Sequence, residues 1–265
     1  MNIVELGSDL VREIKTSKTR MSLLMIGMTT FVSAGAAMAA QGNPGIAPIK
    51  SNINYVKTYG QLGAEWDQWA FQAPTADNPV VDLTGEKCRV GQQGPVWFLA
   101  GVFGSTGPTA PVVRTCEVPG GKAFFFPVLN TGYSAFLNDP PETRTEAYIR
   151  AAGSNCDKDS IQNLSVMIDD VPVAKPGQFW IGAEATPLFE MQLPTDNVYG
   201  ATTADIPQLL LSPSVQEGIY IYVEPLKTGP HTIAWTGSWN CGGATNYQNI
   251  QYNLNILSGV PGLVQ

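Results

Sequence analysis

Residues 247–257 alternate strictly: Ile250, Tyr252, Leu254 and Ile256 are apolar, while Gln251, Asn253 and Asn255 between them are amides. A strand sends successive side chains to opposite faces, so this segment has one dry face and one wet face. That is the pattern of an antiparallel sheet packed on a core with its other side in water. The dry face needs a second layer, and the rest of the chain offers mostly strands to build it. Residues 218–223 and 231–237 are rich in β-branched and aromatic types. In 188–193, Phe189 and Met191 alternate with Glu190 and Gln192, and 179–181 is a further short run. Val166-Met167-Ile168 runs into an Asp169-Asp170 turn. Residues 96–103 form a nearly continuous apolar run between Gly94-Pro95 and Gly104, which predicts a buried strand. Residues 112–118 and 122–129, joined by Pro119-Gly120-Gly121, predict a hairpin. The 27 glycines, 20 prolines and 14% charged residues fit a chain with many turns and little long surface helix. The predicted fold is mainly β: an antiparallel β-sandwich, jelly-roll or immunoglobulin-like, with one or two short covering helices.

Two segments have helical spacing. Tyr55, Tyr59, Leu62, Trp66 and Trp69 recur at intervals of 4, 3, 4 and 3, which puts them on one stripe. Ser51 or Asn52 is a candidate cap, and Pro74 lies past the end. Gly60 and Gly63 weaken this helix by about 1 kcal/mol each against alanine. The plainest use of the stripe is to cover a sheet, and the rival use is an aromatic ligand platform. Residues 140–152 predict a second helix, with Asp139 as cap, Pro140 or Pro141 in the first turn, Ala147, Tyr148 and Ala151 on the apolar side, and Gly153 at the end.

The N-terminus has a different composition. Arg12, Lys15, Lys18 and Arg20 precede a charge-free stretch, 21–38, that ends in Ala37-Met38-Ala39. A basic region, an apolar run and a small-x-small site predict a secretory signal peptide over 1–39, cut before Ala40. The strongly apolar part, 23–32, is about half the ~20 residues a membrane span needs. Residues 40–53 read as a flexible lead-in and 54–265 as one domain. The first 39 residues hold 4 of the 15 basic and 3 of the 22 acidic residues, so the remainder carries 11 and 19, a net −8. An acidic surface repels phosphate backbones, which argues against nucleic acid as a partner. The expected location is secreted or periplasmic, with nothing spanning a membrane after cleavage.

Cys88, Cys116, Cys156 and Cys241 all follow the presequence. An even count in an exported chain predicts disulfides. Four cysteines allow three pairings, and the preferred one is Cys88–Cys116 with Cys156–Cys241. No C-x-x-C pair exists and His231 is the only histidine, so zinc is disfavoured and no cofactor is expected.

The blocks Gly91-Gln92-Gln93-Gly94-Pro95-Val96-Trp97-Phe98-Leu99-Ala100-Gly101, Arg114-Thr115-Cys116-Glu117-Val118-Pro119 and Gly121-Lys122-Ala123-Phe124-Phe125-Phe126-Pro127-Val128-Leu129-Asn130 resemble a family of uncharacterised bacterial secreted proteins. Trp66 and Trp69 upstream, and Glu224-Pro225-Leu226, Gly229 and His231-Thr232-Ile233 downstream, extend the likeness over most of the chain after residue 39. The resemblance implies export and a β-sandwich-like domain. It assigns no activity and no site residues.

Candidate chemistry is sparse. Any imidazole-based catalysis must use His231, and no G-x-S-x-G elbow supplies a placed serine. Asp169 and Asp170 are turn residues, and Asp157 with Asp159 offers too few oxygens for a calcium loop. Of the six tryptophans, Trp239 sits in a Gly/Asn-rich segment, 237–247, and is the one expected to be exposed. Trp239 and His231 are therefore the candidate ligand-binding residues, with an extracellular ligand such as a carbohydrate or envelope polymer. Three functions remain open: a non-enzymatic binding protein, a secreted hydrolase using His231 or a carboxylate pair, and a structural component of the envelope.

Overall fold

The computed structural model describes residues 45–47, 57–104, 110–154, 156, 158–241 and 244–258. The predicted signal peptide, most of the lead-in, Tyr55, the candidate caps Ser51 and Asn52, and Asp157 lie outside the described residues. No helix among the described residues is long and apolar enough to cross a membrane.

The chain forms a β-sandwich. One sheet contains β1 (Val96–Phe98), β3 (Ala123–Phe136), β6 (Trp180–Ile181), β7 (Phe189–Gln192) and β8 (Leu210–Val223). Its order is β1-β3-β8-β6, with β7 also paired to β8. The other contains β2 (Val112–Pro119), β4 (Gln162–Ile168), β5 (Val171–Pro172), β9 (Gly229–Cys241) and β10 (Ala244–Leu257), in the order β2-β10-β9-β4-β5. Most pairs are antiparallel. β1 with β3 and β2 with β10 are parallel.

The two sheets differ in layering. The first, here the inner sheet, is dry on both faces along its central strands: β3 is buried from Ala123 to Leu129, and β8 from Val215 to Val223. One face meets the second, outer sheet, where the Phe126 ring stacks on Trp235 at 4.5 Å. The opposite face lies under helix α1 (Tyr59–Gln72). Beyond the reach of the outer sheet, helix α2 (Glu146–Gly153) completes the cover, with Ile149 packed among Ala135, Ala183 and Val215. The outer sheet buries one face only. On β10, Ile250, Tyr252, Leu254 and Ile256 are 1–3% exposed, while the amides between them face outward.

Helix α1 starts later than its aromatic spacing suggests. Thr58 caps it, and Gln61 returns the bond to the Thr58 backbone N–H in a capping box. The helix ends before Pro74, as expected. Trp66 and Trp69 are structural: the Trp66 indole donates to Leu99 O at 2.9 Å and the Trp69 indole to Val90 O at 2.8 Å. Gly60 and Gly63 let the helix sit close. A β-carbon on Gly60 would lie 2.1 Å from Ala185 O, and one on Gly63 would lie 1.9 Å from the Gln216 amide nitrogen. α2 likewise begins at Glu146, capped by Thr145, after a separate 3-10 turn over Pro141–Arg144. Asp139 instead accepts from the Phe136 N–H. Ala147, Tyr148 and Ala151 face solvent, and Ile149 is the buried contact.

Two strand expectations need correction. Residues 112–118 and 122–129 are strands, but they do not form a hairpin. β2 pairs with β10 in the outer sheet and β3 with β1 and β8 in the inner one, so the Pro119–Gly121 turn carries the chain across the sandwich. Their patterns differ accordingly: β2 alternates and β3 is buried without a break from Ala123 to Leu129. The apolar run 96–103 is strand only to Phe98. Beyond it, side chains take over the backbone hydrogen bonds. Leu99 O accepts from Trp66, Gly101 O from Arg114 at 3.0 Å, and Gln248 bonds both the N–H and the C=O of Val102 at 2.9 Å. A buried irregular segment is stable when its polar groups are satisfied in this way. Arg114, 1% exposed, also donates to Asp82 O, Ala100 O and the Tyr252 hydroxyl. Both preferred disulfides form, Cys88–Cys116 and Cys156–Cys241, and no free cysteine occurs among the described residues.

Candidate functional site

The outer sheet's wet face ends in an open depression of about 610 Å³, lined by Thr115, Asp169, Asp170, Pro230, His231, Thr232, Asn253, Leu254 and Asn255. Strand register assembles it. Thr115 on β2 lies opposite Asn253 on β10, and Asn253 lies opposite Thr232 on β9. The β4–β5 turn closes the row: Asp169 and Asp170 both have positive φ, 49° and 63°, which suits a two-residue hairpin turn and an Asp-Asp pair that tolerates it.

His231 is the strut of this end. Its Nδ1 lies 2.7 Å from Asp169 Oδ2 and its Nε2 2.8 Å from Lys227 O. The other Asp169 oxygen accepts from the Thr232 N–H at 2.8 Å. One ring thus ties the β4–β5 turn to the turn before β9. Both ring nitrogens face acceptors, so neither is open toward the depression as a base would need to be. Asp169 is likewise committed. The groups left to a ligand are the Asp170 carboxylate, the Thr115 and Thr232 hydroxyls and the Asn253 and Asn255 amides. Asn253 is itself aligned by a bond from the Gln251 amide to its Oδ1 at 2.9 Å.

The two predicted ligand residues are not brought together. His231 lines the depression, but Trp239 does not, and its expected exposure is wrong. Trp239 is 2% exposed, packed with Leu129, Cys156 and Cys241, and its ring lies edge-on to Trp180 at 5.9 Å. The Gly/Asn-rich segment is strand on both sides, since β9 runs to Cys241 and β10 resumes at Ala244. Trp239 therefore continues the inward series of Ile233, Trp235 and Gly237. Thr115, Asn253 and Asn255 were missed because alternation marks them only as wet. The signal that could have found them is their type: the outward positions of β10 are amides at 249, 251, 253 and 255, without a charge among them.

Among the described residues, no group of three or more His, Cys, Asp or Glu side chains is placed to hold a metal ion. No family model, curated protein or solved structure matches the chain.

Proposed function

We propose that the protein is an exported, non-catalytic binding protein whose depression on the outer sheet takes a neutral, hydroxyl-rich ligand, a carbohydrate or an envelope polysaccharide. The observation that carries this reading is the lining: amides, hydroxyls and one uncommitted carboxylate around an open, shallow site. Each of these groups pairs well with sugar hydroxyls, amides as donor and acceptor and carboxylate as acceptor. An anionic ligand would meet Asp169 and Asp170 and a chain of net charge −7. Binding is favoured over hydrolysis because both nitrogens of His231 are engaged. Export is supported by the basic stretch and apolar run before Ala40 and by the two disulfides.

The test is calorimetric titration of the purified protein with a panel of neutral gluco-, manno- and chito-oligosaccharides. Binding of one class is expected, weakened about tenfold or more by Asp170→Ala, since a hydrogen bond to a charged group contributes ~1.5–3 kcal/mol. No binding across the panel, or binding that Asp170→Ala and Asn253→Ala leave unchanged, contradicts the proposal.

A further inference from the structure

Helix α1 rests on a polar seam that the ligand site does not use. Asp67, on the face of α1 turned to the inner sheet, is 4% exposed. Its one hydrogen bond among the described residues comes from the Asn130 amide on β3, at 3.2 Å. Gly132 on the same strand lies beside it: a β-carbon there would make ordinary contact with Asp67 Oδ2 at 3.8 Å and Gln216 Cβ at 3.7 Å, and its tight approach, 2.8 Å, would be to Val215 O. Gln216 on β8 is 0% exposed; its side-chain Oε1 accepts from the Tyr220 hydroxyl, and its Nε2 has no partner among the described residues. The seam therefore holds a carboxyl without a cation and an amide with a spare donor, sealed beneath a helix brought close by two glycines.

Among the described residues, no positive charge faces this carboxyl from any element packed on α1. β3 offers Asn130 and Gly132, β8 offers Gln216 and Tyr220, and the segment after β7 offers Tyr199. On β7 the Glu190 carboxylate is taken by the Ser212 hydroxyl, and on α1 itself Glu65 pairs outward with Lys57. An ionised carboxylate in such a place loses its hydration and gains no ion pair, so the neutral acid is the stable form.

We propose that Asp67 is a pH-sensitive latch, holding α1 on the inner sheet as the neutral acid and loosening it as the carboxyl ionises. Burial holds the Asp67 carboxyl well above the usual carboxylate range, and Tyr199 and Tyr220 are raised by the same burial. Since the folded value is raised and the unfolded chain titrates in the ordinary range, the latch contributes fully in acid. Its contribution is lost as the pH rises through the folded value. Tightening in acid and easing toward alkali would let α1 cover or uncover the aromatic face of Phe125 and Tyr220 according to the medium.

The experiment is denaturant melting of the protein and of Asp67→Asn across acid to alkaline pH. The wild-type midpoint should fall as pH rises, and the Asp67→Asn midpoint should fall markedly less over the same window. Equal slopes overturn the proposal. A second measurement uses the wild-type protein alone, in case the variant does not fold: ¹³C-labelled aspartate carboxyls followed by NMR. One aspartate that stays protonated after all the others have ionised supports the latch, and a set that all titrate in the ordinary range overturns it.

Discussion

The inner and outer sheets are made of strands of similar length, yet they occupy different environments. β3 and β8 are 14 residues each and are dry on both faces over Ala123–Leu129 and Ser214–Val223, whereas β9 and β10, 13 and 14 residues, are dry on one. The reason is α1. It covers the far face of the inner sheet, and among the described residues no helix packs comparably on the outer one. A sheet face sealed by a helix serves stability, and its polar groups must find partners inside. A sheet face left wet can keep amides and hydroxyls for a ligand at small cost in stability. The same contrast places the buried Asp67 seam in one sheet and the open depression in the other.

Three substitutions probe this contrast. Trp66→Ala should have the largest effect, ~3–5 kcal/mol in denaturant melts, because it opens a cavity between α1 and the inner sheet and orphans Leu99 O. A melt like wild type would mean that α1 does not seal the inner sheet. Gly60→Ala comes next. Alanine favours an isolated helix by ~1 kcal/mol, but here its β-carbon meets the backbone of Ala185, so a net loss of ~1–3 kcal/mol is expected. A gain in stability would show that α1 has slack. Asn253→Ala should change the melt by less than about 0.5 kcal/mol while removing ligand binding. A large stability loss would mean that the outer face is structural.

The same contrast decided what the sequence could convey. The outer sheet was legible in β10, since one wet face forces alternation, and the Asp169-Asp170 turn was legible from turn chemistry. The inner sheet was legible as apolar runs at 123–129 and 218–223 but not in its pairing, because a strand buried on both faces has no period to give its register. That is why β2 and β3 read as a hairpin. The start of α1 at Tyr59 was hidden because aromatic spacing continues back to Tyr55, and Gly60 and Gly63 read as weaknesses when their role is close approach. Trp239 was misplaced because local Gly and Asn content outweighed the period-two series from Ile233. The depression was not legible, since it depends on β2, β4, β9 and β10 lining up their ends.

The most direct test of the layered account compares one substitution at two serines. Ser214 on β8 faces α1 and is 0% exposed, with its hydroxyl 2.7 Å from that of Ser134. Ser165 on β4 faces outward from the outer sheet and is exposed. Denaturant melts of Ser214→Asp and Ser165→Asp read the difference between the two wet-or-dry faces in a single quantity. The account predicts a loss of several kcal/mol, on the order of 3 or more, for Ser214→Asp, where a charge enters a dry layer, and a change within about 0.5 kcal/mol for Ser165→Asp. Equal losses at the two positions would contradict it.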